Sequence, residues 1–324
     1  MSNVKQNGRT AAPLVSIVVP VFNAARWLTD TLESFERQSY PNCEWVLVDD
    51  GSTDASLSII ENWQPEHGAA KVVRKKNGGA SSARNAGLRE ATGDYVIFWD
   101  SDDTQNPEML KKMVASVHQG ADIAICAIKR IESDGRTRDM FTCEPQTVDS
   151  ATAIRRWFEH GLSSGPYTKL IDRSLLLEHG IEFIEGEINE DIIWTAEILL
   201  AARSIALLGE PLYSYISREG SVTNTLDERH LIVFKNAQRL RNLICEELPG
   251  LSRECEEYCA RQVLSTTFLL LCRNNNSASS ALSVRVARLY RQWLPEVASL
   301  CKKPKDLVKR GLITIRLLYL RQRK

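Results

Sequence analysis

Apolar positions fall into short continuous runs that alternate with stretches of helical spacing. Leu14-Val-Ser-Ile-Val-Val19 is nearly unbroken and meets Pro20, which predicts a buried parallel strand ended by that proline. Trp27, Leu28, Leu32 and Phe35 then recur at helical intervals, and Tyr40-Pro41 stops that helix. Trp45-Val-Leu-Val48 predicts a second buried strand, closing on Asp49-Asp50-Gly51-Ser52-Thr53-Asp54. Another helix follows, then Lys71-Val-Val-Arg74, a glycine break at Gly78-Gly79, and a helix to about Ala91 that Ser81 or Ser82 can cap. Tyr95-Val-Ile-Phe-Trp99 is the next strand and ends in Asp100-Ser101-Asp102-Asp103. Pro107 then suits the first turn of a helix whose apolar face is Met109, Leu110, Met113, Val114 and Val117.

This alternation predicts an α/β fold with a mostly parallel, doubly wound sheet. Ligands of such sheets bind beyond the carboxyl ends of the strands. Asn23, the Asp49–Asp50 pair and the Asp100–Asp103 cluster fall at three such ends. Beyond Ala121 the pattern turns α+β. Asp134-Gly135 marks a hairpin, Ala153, Ile154, Trp157 and Phe158 a helix, Asp191 to Arg203 another, and Leu212-Tyr-Ser-Tyr215 a strand. From Asp227 onward the chain reads as helical, with a boundary near Thr225. Residues 1–13 are expected to be a disordered tail, 14–225 the main domain and 226–324 a helical C-terminal region.

Composition changes this picture in two places. The 324 residues carry 41 basic and 41 acidic side chains, so no general affinity for nucleic acid is expected. Neutrality hides an asymmetry: residues 302–324 hold nine Lys and Arg against one acid, Asp306. Leu307, Val308, Leu312, Ile315 and Leu318 recur among them, so this segment suits an anionic membrane surface. The alternative is that the stripe packs on the main domain while the cations stay solvated. The eight cysteines form no CxxC pair and read as buried thiols of a reducing compartment. Residues 1–13 lack the apolar core of a signal peptide, and no run is apolar enough to span a bilayer. A cytoplasmic protein is expected, at most peripheral at the inner face of the cell membrane.

The acidic clusters carry the candidate chemistry. Asp100, Asp102 and Asp103 place three carboxylates within four residues. Mg²⁺ and Mn²⁺ prefer such oxygen ligands, commonly one or two carboxylates plus substrate phosphates. An acidic loop capping the next helix is the competing explanation. At Asp49–Asp54, a turn at Gly51 with Asp54 as a helix cap competes with a carboxylate that accepts the N3–H of a uracil. Gly78–Gly87 offers close approach and a cation, Arg84, but neither a P-loop nor a dinucleotide fingerprint. The five histidines lack metal-ligand spacing.

Four strings occur in order: Val15-Ser-Ile-Val-Val-Pro-Val-Phe-Asn23, Leu47-Val-Asp-Asp-Gly-Ser-Thr-Asp54, Asn77-Gly-Gly-Ala-Ser-Ser-Ala-Arg-Asn-Ala-Gly87 and Asp94-Tyr-Val-Ile-Phe-Trp-Asp-Ser-Asp-Asp103. Together they resemble the inverting GT-A glycosyltransferases of family 2 that build bacterial cell-surface polysaccharides. The resemblance is strongest over 14–107 and continues loosely to Asn224. It implies a GT-A fold, Rossmann-like with flanking helices, whose residues 14–107 hold a nucleotide-sugar and 108–225 the acceptor. It also implies a metal-dependent hexosyl- or N-acetylhexosaminyltransferase. Pro20, Val21 and Asn23 would form the first donor loop, Asp50 and less directly Asp49 would meet uracil, and Gly78, Arg84, Asp100 and Ser101 would complete the nucleotide-sugar site. Asp100 and Asp102 match the DxD motif, with Asp102 the direct ligand of Mn²⁺ or Mg²⁺.

Inverting transfer needs a carboxylate to take the acceptor proton. Glu187-Ile-Asn-Glu190-Asp191 resembles the acidic pair of the acceptor side, with Asp191 as base and Glu190 as backup base or acceptor binder, although acids favour helix N-termini anyway. Tyr213-Ser-Tyr215 and Ser217-Arg-Glu-Gly-Ser221 resemble a segment that comes near the diphosphate or the acceptor, with Arg218 the residue whose fork suits phosphate oxygens. Lys169 is a weaker match, and both cations compete with an ordinary surface role. The partners implied are a UDP-sugar and a glycan or lipid-linked saccharide. A metal-dependent nucleotidyltransferase, or a sugar-nucleotide binder without turnover, are the alternatives.

Overall fold

The computed structural model describes residues 12–218, 226–273 and 280–322, so the tail expected over 1–13 falls almost wholly outside the described residues. Contacts gather the chain into two compact units. The first comprises Met1–Ser150, Ser163–Gly186 and Ala201–Ser217; the second comprises Ala151–Leu162, Glu187–Leu200 and Arg218–Lys324. A single cut near Thr225 therefore does not describe the contacts, because two earlier stretches join the later helices.

In the first unit the chain runs β1 (Val15–Val21), α1 (Ala25–Glu36), β2 (Cys43–Asp49), α2 (Ser56–Asn62), β3 (Ala69–Arg74), α3 (Ala80–Glu90) and β4 (Tyr95–Phe98). These strands line up parallel in the order β3-β2-β1-β4. Order reverses at β1, which opens a switch-point crevice beyond the carboxyl ends of β1 and β4. Next come β5 (Thr104–Gln105), α4 (Met109–His118), β6 (Ile123–Ile131), β7 (Thr137–Met140) and β8 (Gln146–Val148). The Asp134-Gly135 hairpin joins β6 to β7 as expected, with Gly135 at φ 82°. After α5 (Ser150–Phe158), β9 (Lys169–Asp172) inserts antiparallel between β4 and β6, and α6 (Arg173–Glu178) follows it. After α7 (Asp191–Ala201), β10 (Ile205–Ile216) pairs parallel with β6.

The core beneath β1, β2 and β4 is aromatic. Phe35 stacks on Trp45 with centroids 4.9 Å apart, and Trp99 lies 5.4 Å from Phe35. Such pairs add to the burial of their large apolar areas. Helix α3 packs very close to the sheet: a Cβ on Gly87 would lie 2.3 Å from Val18 Cγ1. Only glycine fits there.

Three local expectations need correction. Pro20 does not end the first strand but lies inside it, opposite Val48. Pairing with β4 stops at Val18, so beyond that point the missing N–H costs no rung on the β4 side. Neither Ser81 nor Ser82 caps α3, whose first residue Ala80 follows Gly79 at φ 86°; both serines are buried inside the first turn. Pro107 precedes α4, and Asn106 Oδ1 accepts the Glu108 amide at 2.9 Å to turn the chain into it.

The second unit is helical: α5, α7, α8 (Ile232–Glu247), α9 (Ser252–Phe268), α10 (Ser280–Gln292), α11 (Leu294–Leu300) and α12 (Pro304–Gln322). Trp157 and Phe158 of α5 lie 5.3 and 5.1 Å from Tyr258 of α9. That bulky aromatic face draws α5 to the helices. The apolar stripe expected along 302–324 does not pack inward: Leu307, Val308, Leu312, Ile315 and Leu318 are all exposed. No described helix is long and apolar enough to cross a membrane.

Candidate active site at the carboxyl edge of the sheet

The loops after β1, β2, β3 and β4 are stitched to one another by the residues singled out in the sequence. Asn23 adopts φ 49°, a left-handed conformation that asparagine tolerates better than most residues. Its Oδ1 accepts the Thr53 amide at 2.8 Å, and its own amide donates to Ser52 Oγ at 3.1 Å. Asp54 accepts from Ser56 N at 2.9 Å and Ala25 N at 3.1 Å, so it caps α2 and also ties the start of α1. Pro20 and Val21 form the end of β1 just before this junction.

Asp49 is buried, and its carboxylate accepts from Gly51 N and Ser52 N at 3.2–3.3 Å, the turn-forming role. Asp50 reaches the next loop. It accepts from Gly78 N at 3.0 Å and Gly79 N at 2.7 Å, and it pairs with the Lys75 ammonium. Lys75 is a site residue that no sequence pattern flags. A basic residue after a strand gives no signal of its partner until the loop closes.

Arg84, in the second turn of α3, is 7% exposed and donates to Asp100 Oδ1 at 2.9 Å. Its guanidinium also lies 5.3 Å from the Phe183 ring centre. Asn85 beside it exchanges two hydrogen bonds with the Phe183 backbone, at 2.9 and 2.8 Å, fixing that ring under the arginine. Trp99 is fully buried while Asp100, two residues past the end of β4, is partly exposed.

The three acids after β4 divide into two kinds. Asp100 and Asp102, with Ser101 between them, are partly exposed. Asp103 is buried; it accepts from Tyr213 Oη and Ile216 N, both at 2.8 Å. Burial first, then the neighbouring Asp100 and Asp102 charges, pushes the Asp103 carboxyl well above the usual range. Burial and Asp103 likewise push the Tyr213 phenol upward. Asp103 thus anchors the loop on β10, leaving Asp100 and Asp102 at the rim. The Tyr213-Ser-Tyr215 string is the one hint of this anchor in the sequence.

Among the described residues no group of three His, Cys, Asp or Glu is placed to hold a metal unaided. Two partly exposed carboxylates, Asp100 and Asp102, nonetheless suit a hard divalent ion that takes its other ligands from phosphates. The donor set fits Mg²⁺ or Mn²⁺ arriving with a diphosphate.

The remaining predicted residues are Lys169 in the first unit and Glu190, Asp191 and Arg218 in the second. Lys169 is no surface cation: it is fully buried, and its ammonium donates to the Ser163 and Gly165 carbonyls at 2.7 Å each. A chain carbonyl cage satisfies its charge. In the second unit, Asp191 opens α7 and both it and Glu190 are partly exposed. The loop before them is held on α8. Glu187 pairs with Lys235 and Arg239, and Asn236 Nδ2 donates to the Asn189 carbonyl at 3.3 Å. Burial alone would raise the Glu187 carboxyl, but those two cations outweigh it and hold it low. Arg218 is partly exposed, and Glu219 to Ser221 of its string lie outside the described residues.

A family model described as "Glycosyl transferase family 2" matches residues 16–180. EpsH of Bacillus subtilis, which carries a glycosyltransferase name, is 31% identical over 63% of this chain and 60% of its own length. Glycosyltransferase GlyG of Streptococcus pneumoniae is 32% identical over 65% of this chain and 73% of its own. The chain thus spans under two thirds of EpsH. The crystal structure of residues 1–349 of Staphylococcus aureus TarS superposes with a TM-score of 0.68 at 25% identity, covering 96% of this chain and 92% of that one. TarS, a poly(ribitol-phosphate) β-N-acetylglucosaminyltransferase, has also been crystallised with UDP.

Proposed function

We propose a sugar transfer for this chain, which belongs to glycosyl transferase family 2: a glycosyl group passes with inversion from a UDP-sugar to a hydroxyl of a growing cell-surface glycan or lipid-linked oligosaccharide. The observation that carries this reading is the stitched rim, where Asp50 with Lys75 and Arg84 with Asp100 lie at the carboxyl ends of neighbouring parallel strands. The UDP complex of TarS supports a uridine donor, and the name of TarS supports an N-acetylhexosamine among the candidate sugars.

In this reading the loops after β1 and β2 receive the nucleoside. Asp50, with Asp49 behind it, offers the acceptor for uracil N3–H. Gly78 leaves room beside it, and Pro20, Val21 and Asn23 shape the opposite wall. Arg84, and Arg218 as a second candidate, would engage the diphosphate, since a guanidinium fork matches phosphate oxygens. Asp102 and Asp100 would hold a divalent cation, which supplies charge neutralisation to the departing UDP. Asp191 takes the proton from the acceptor hydroxyl as its oxygen bonds to the anomeric carbon and the bond to UDP breaks. Glu190 supports it. No covalent sugar–enzyme species is needed. An acceptor carried on lipid would bring the enzyme to the inner face of the cell membrane.

The test is a UDP-sugar screen that follows release of free UDP with Mn²⁺, with and without chelator. Pyrophosphate in place of UDP would point instead to a nucleotidyltransferase. Asp191→Asn should lower turnover about 10²–10⁴-fold while the Kd for UDP changes less than about threefold. Unchanged turnover removes Asp191 as the base, and binding without turnover in the unaltered protein removes the enzyme reading.

A further inference from the structure

Helix α12 is built the reverse way round from a helix that packs by its apolar stripe. Its inward side is narrow and mixed: Ile313 is fully buried and Asp306 is 4% exposed. Lys309 donates to Ser265 Oγ of α9 at 2.8 Å, and Arg310 reaches the Ala298 and Cys301 carbonyls at 3.4 Å. Two of its cations thus stitch the helix down. The apolar stripe faces away. Leu307, Val308, Leu312, Ile315 and Leu318 are 51, 62, 43, 65 and 53% exposed. Five of the nine exposed large apolar side chains among the described residues lie on this one helix. Monomeric soluble surfaces scatter such residues; a contiguous stripe marks a binding face.

We propose that this face docks on an anionic lipid bilayer. Charge chooses the occupant. Lys302, Lys303 and Lys305 are exposed at the start of the helix, and residues 302–324 carry nine basic side chains against one acid. A second copy seated on the stripe by two-fold symmetry would bring two such basic segments together without counter-charge. A bilayer of anionic lipid supplies both matching features, hydrocarbon for the stripe and negative headgroups for its flanks. From Leu307 to Leu318 the stripe is only about 16 Å long at 1.5 Å per residue. That is too short to span a hydrocarbon core of about 30 Å, so the helix lies in the plane of the surface. The inference stands apart from the proposed transfer reaction, because α12 carries none of its residues.

The experiment uses the full chain and vesicles of equal parts phosphatidylglycerol and phosphatidylcholine, with pure phosphatidylcholine alongside. Co-sedimentation is expected with the mixed vesicles and at least about tenfold weaker partitioning with the pure ones. The double substitution Leu312→Glu, Ile315→Glu should cut binding to the mixed vesicles about tenfold or more. Both positions are exposed, so its thermal unfolding should match the unaltered protein. Lys302→Gln, Lys303→Gln, Lys305→Gln should weaken binding to mixed vesicles and leave the pure ones unaffected. The proposal is overturned if the double variant sediments as well as the original, or if the original ignores both vesicles. Gel filtration covers the rival occupant: a dimer that the same two substitutions dissolve, without vesicle binding, assigns the stripe to a second copy.

Discussion

Both ends of the first unit's sheet are rich in acids, yet the two ends use them differently. At the amino end, Glu44 accepts from Ser16 Oγ, Thr92 N, Thr92 Oγ1 and Gly93 N at 2.5–3.1 Å. Asp94 accepts the Leu14 amide, and Asp122 the Arg203 and Ser204 amides together with the Arg203 guanidinium. These acids staple loops, chiefly through neutral backbone donors. A polar cavity of about 820 Å³ opens there, lined by Asp94, Asp122, Asp172 and Arg173, but its acids are largely committed to the chain. At the carboxyl end, Asp50 and Asp100 are instead paired with Lys75 and Arg84, cations that a diphosphate could also engage. Asp100 and Asp102 remain partly exposed beside them. Acid content alone does not mark a site.

Substitutions at the two ends should therefore separate activity from stability. The largest effect belongs to Asp102→Asn: UDP release should fall roughly 10²–10³-fold, with a melting temperature within about 2 °C of the original. If turnover survives, the carboxyl end loses its claim to the metal. Arg84→Lys should lower kcat/KM for the donor about tenfold, because a single ammonium cannot reproduce the guanidinium fork. Glu44→Ala should do the opposite. It orphans several donors, costing about 2 kcal/mol and roughly 5 °C in melting temperature, while kcat/KM stays within about threefold. The smallest effect sharpens the contrast by pH. Burial would raise the Glu44 carboxyl, but hydrogen bonds from Ser16, Thr92 and Gly93 outweigh it and hold it low. A depressed carboxyl stabilises the fold above its ordinary value and loses that contribution as pH falls through the lowered one. The gap in melting temperature between the original and Glu44→Gln should accordingly shrink in titrations below the ordinary 4.5.

Much of the site is legible in residue order, because strand ends are periodic features. A short, largely apolar run such as Val15–Val19 or Tyr95–Phe98, bounded by polar and turn residues, fits a buried strand, and the polar residues after it then fall at an edge. Residue order therefore places Asn23, Asp49, Asp50, Asp100 and Asp102 at the strand ends, but the acidic cluster itself gives no sign that Asp103 turns inward. Local caps are harder to read. Ser81 and Ser82 look like caps, but Gly79 occupies the N-cap position two residues before Ser81, and Asp50 takes the Gly78 and Gly79 amides.

Chain pattern alone determined the alternation of strands and helices, the carboxyl-edge acids and the basic, apolar-striped final helix, since each follows from spacing along one segment. Tertiary structure alone decided that Lys75 holds Asp50, that Asp103 turns inward to Tyr213, that Lys169 is caged by carbonyls, and that the stripe of α12 faces out. Those outcomes depend on which distant segment offers the donor, the acceptor or the covering surface. Periodicity along a chain carries no information about that partner.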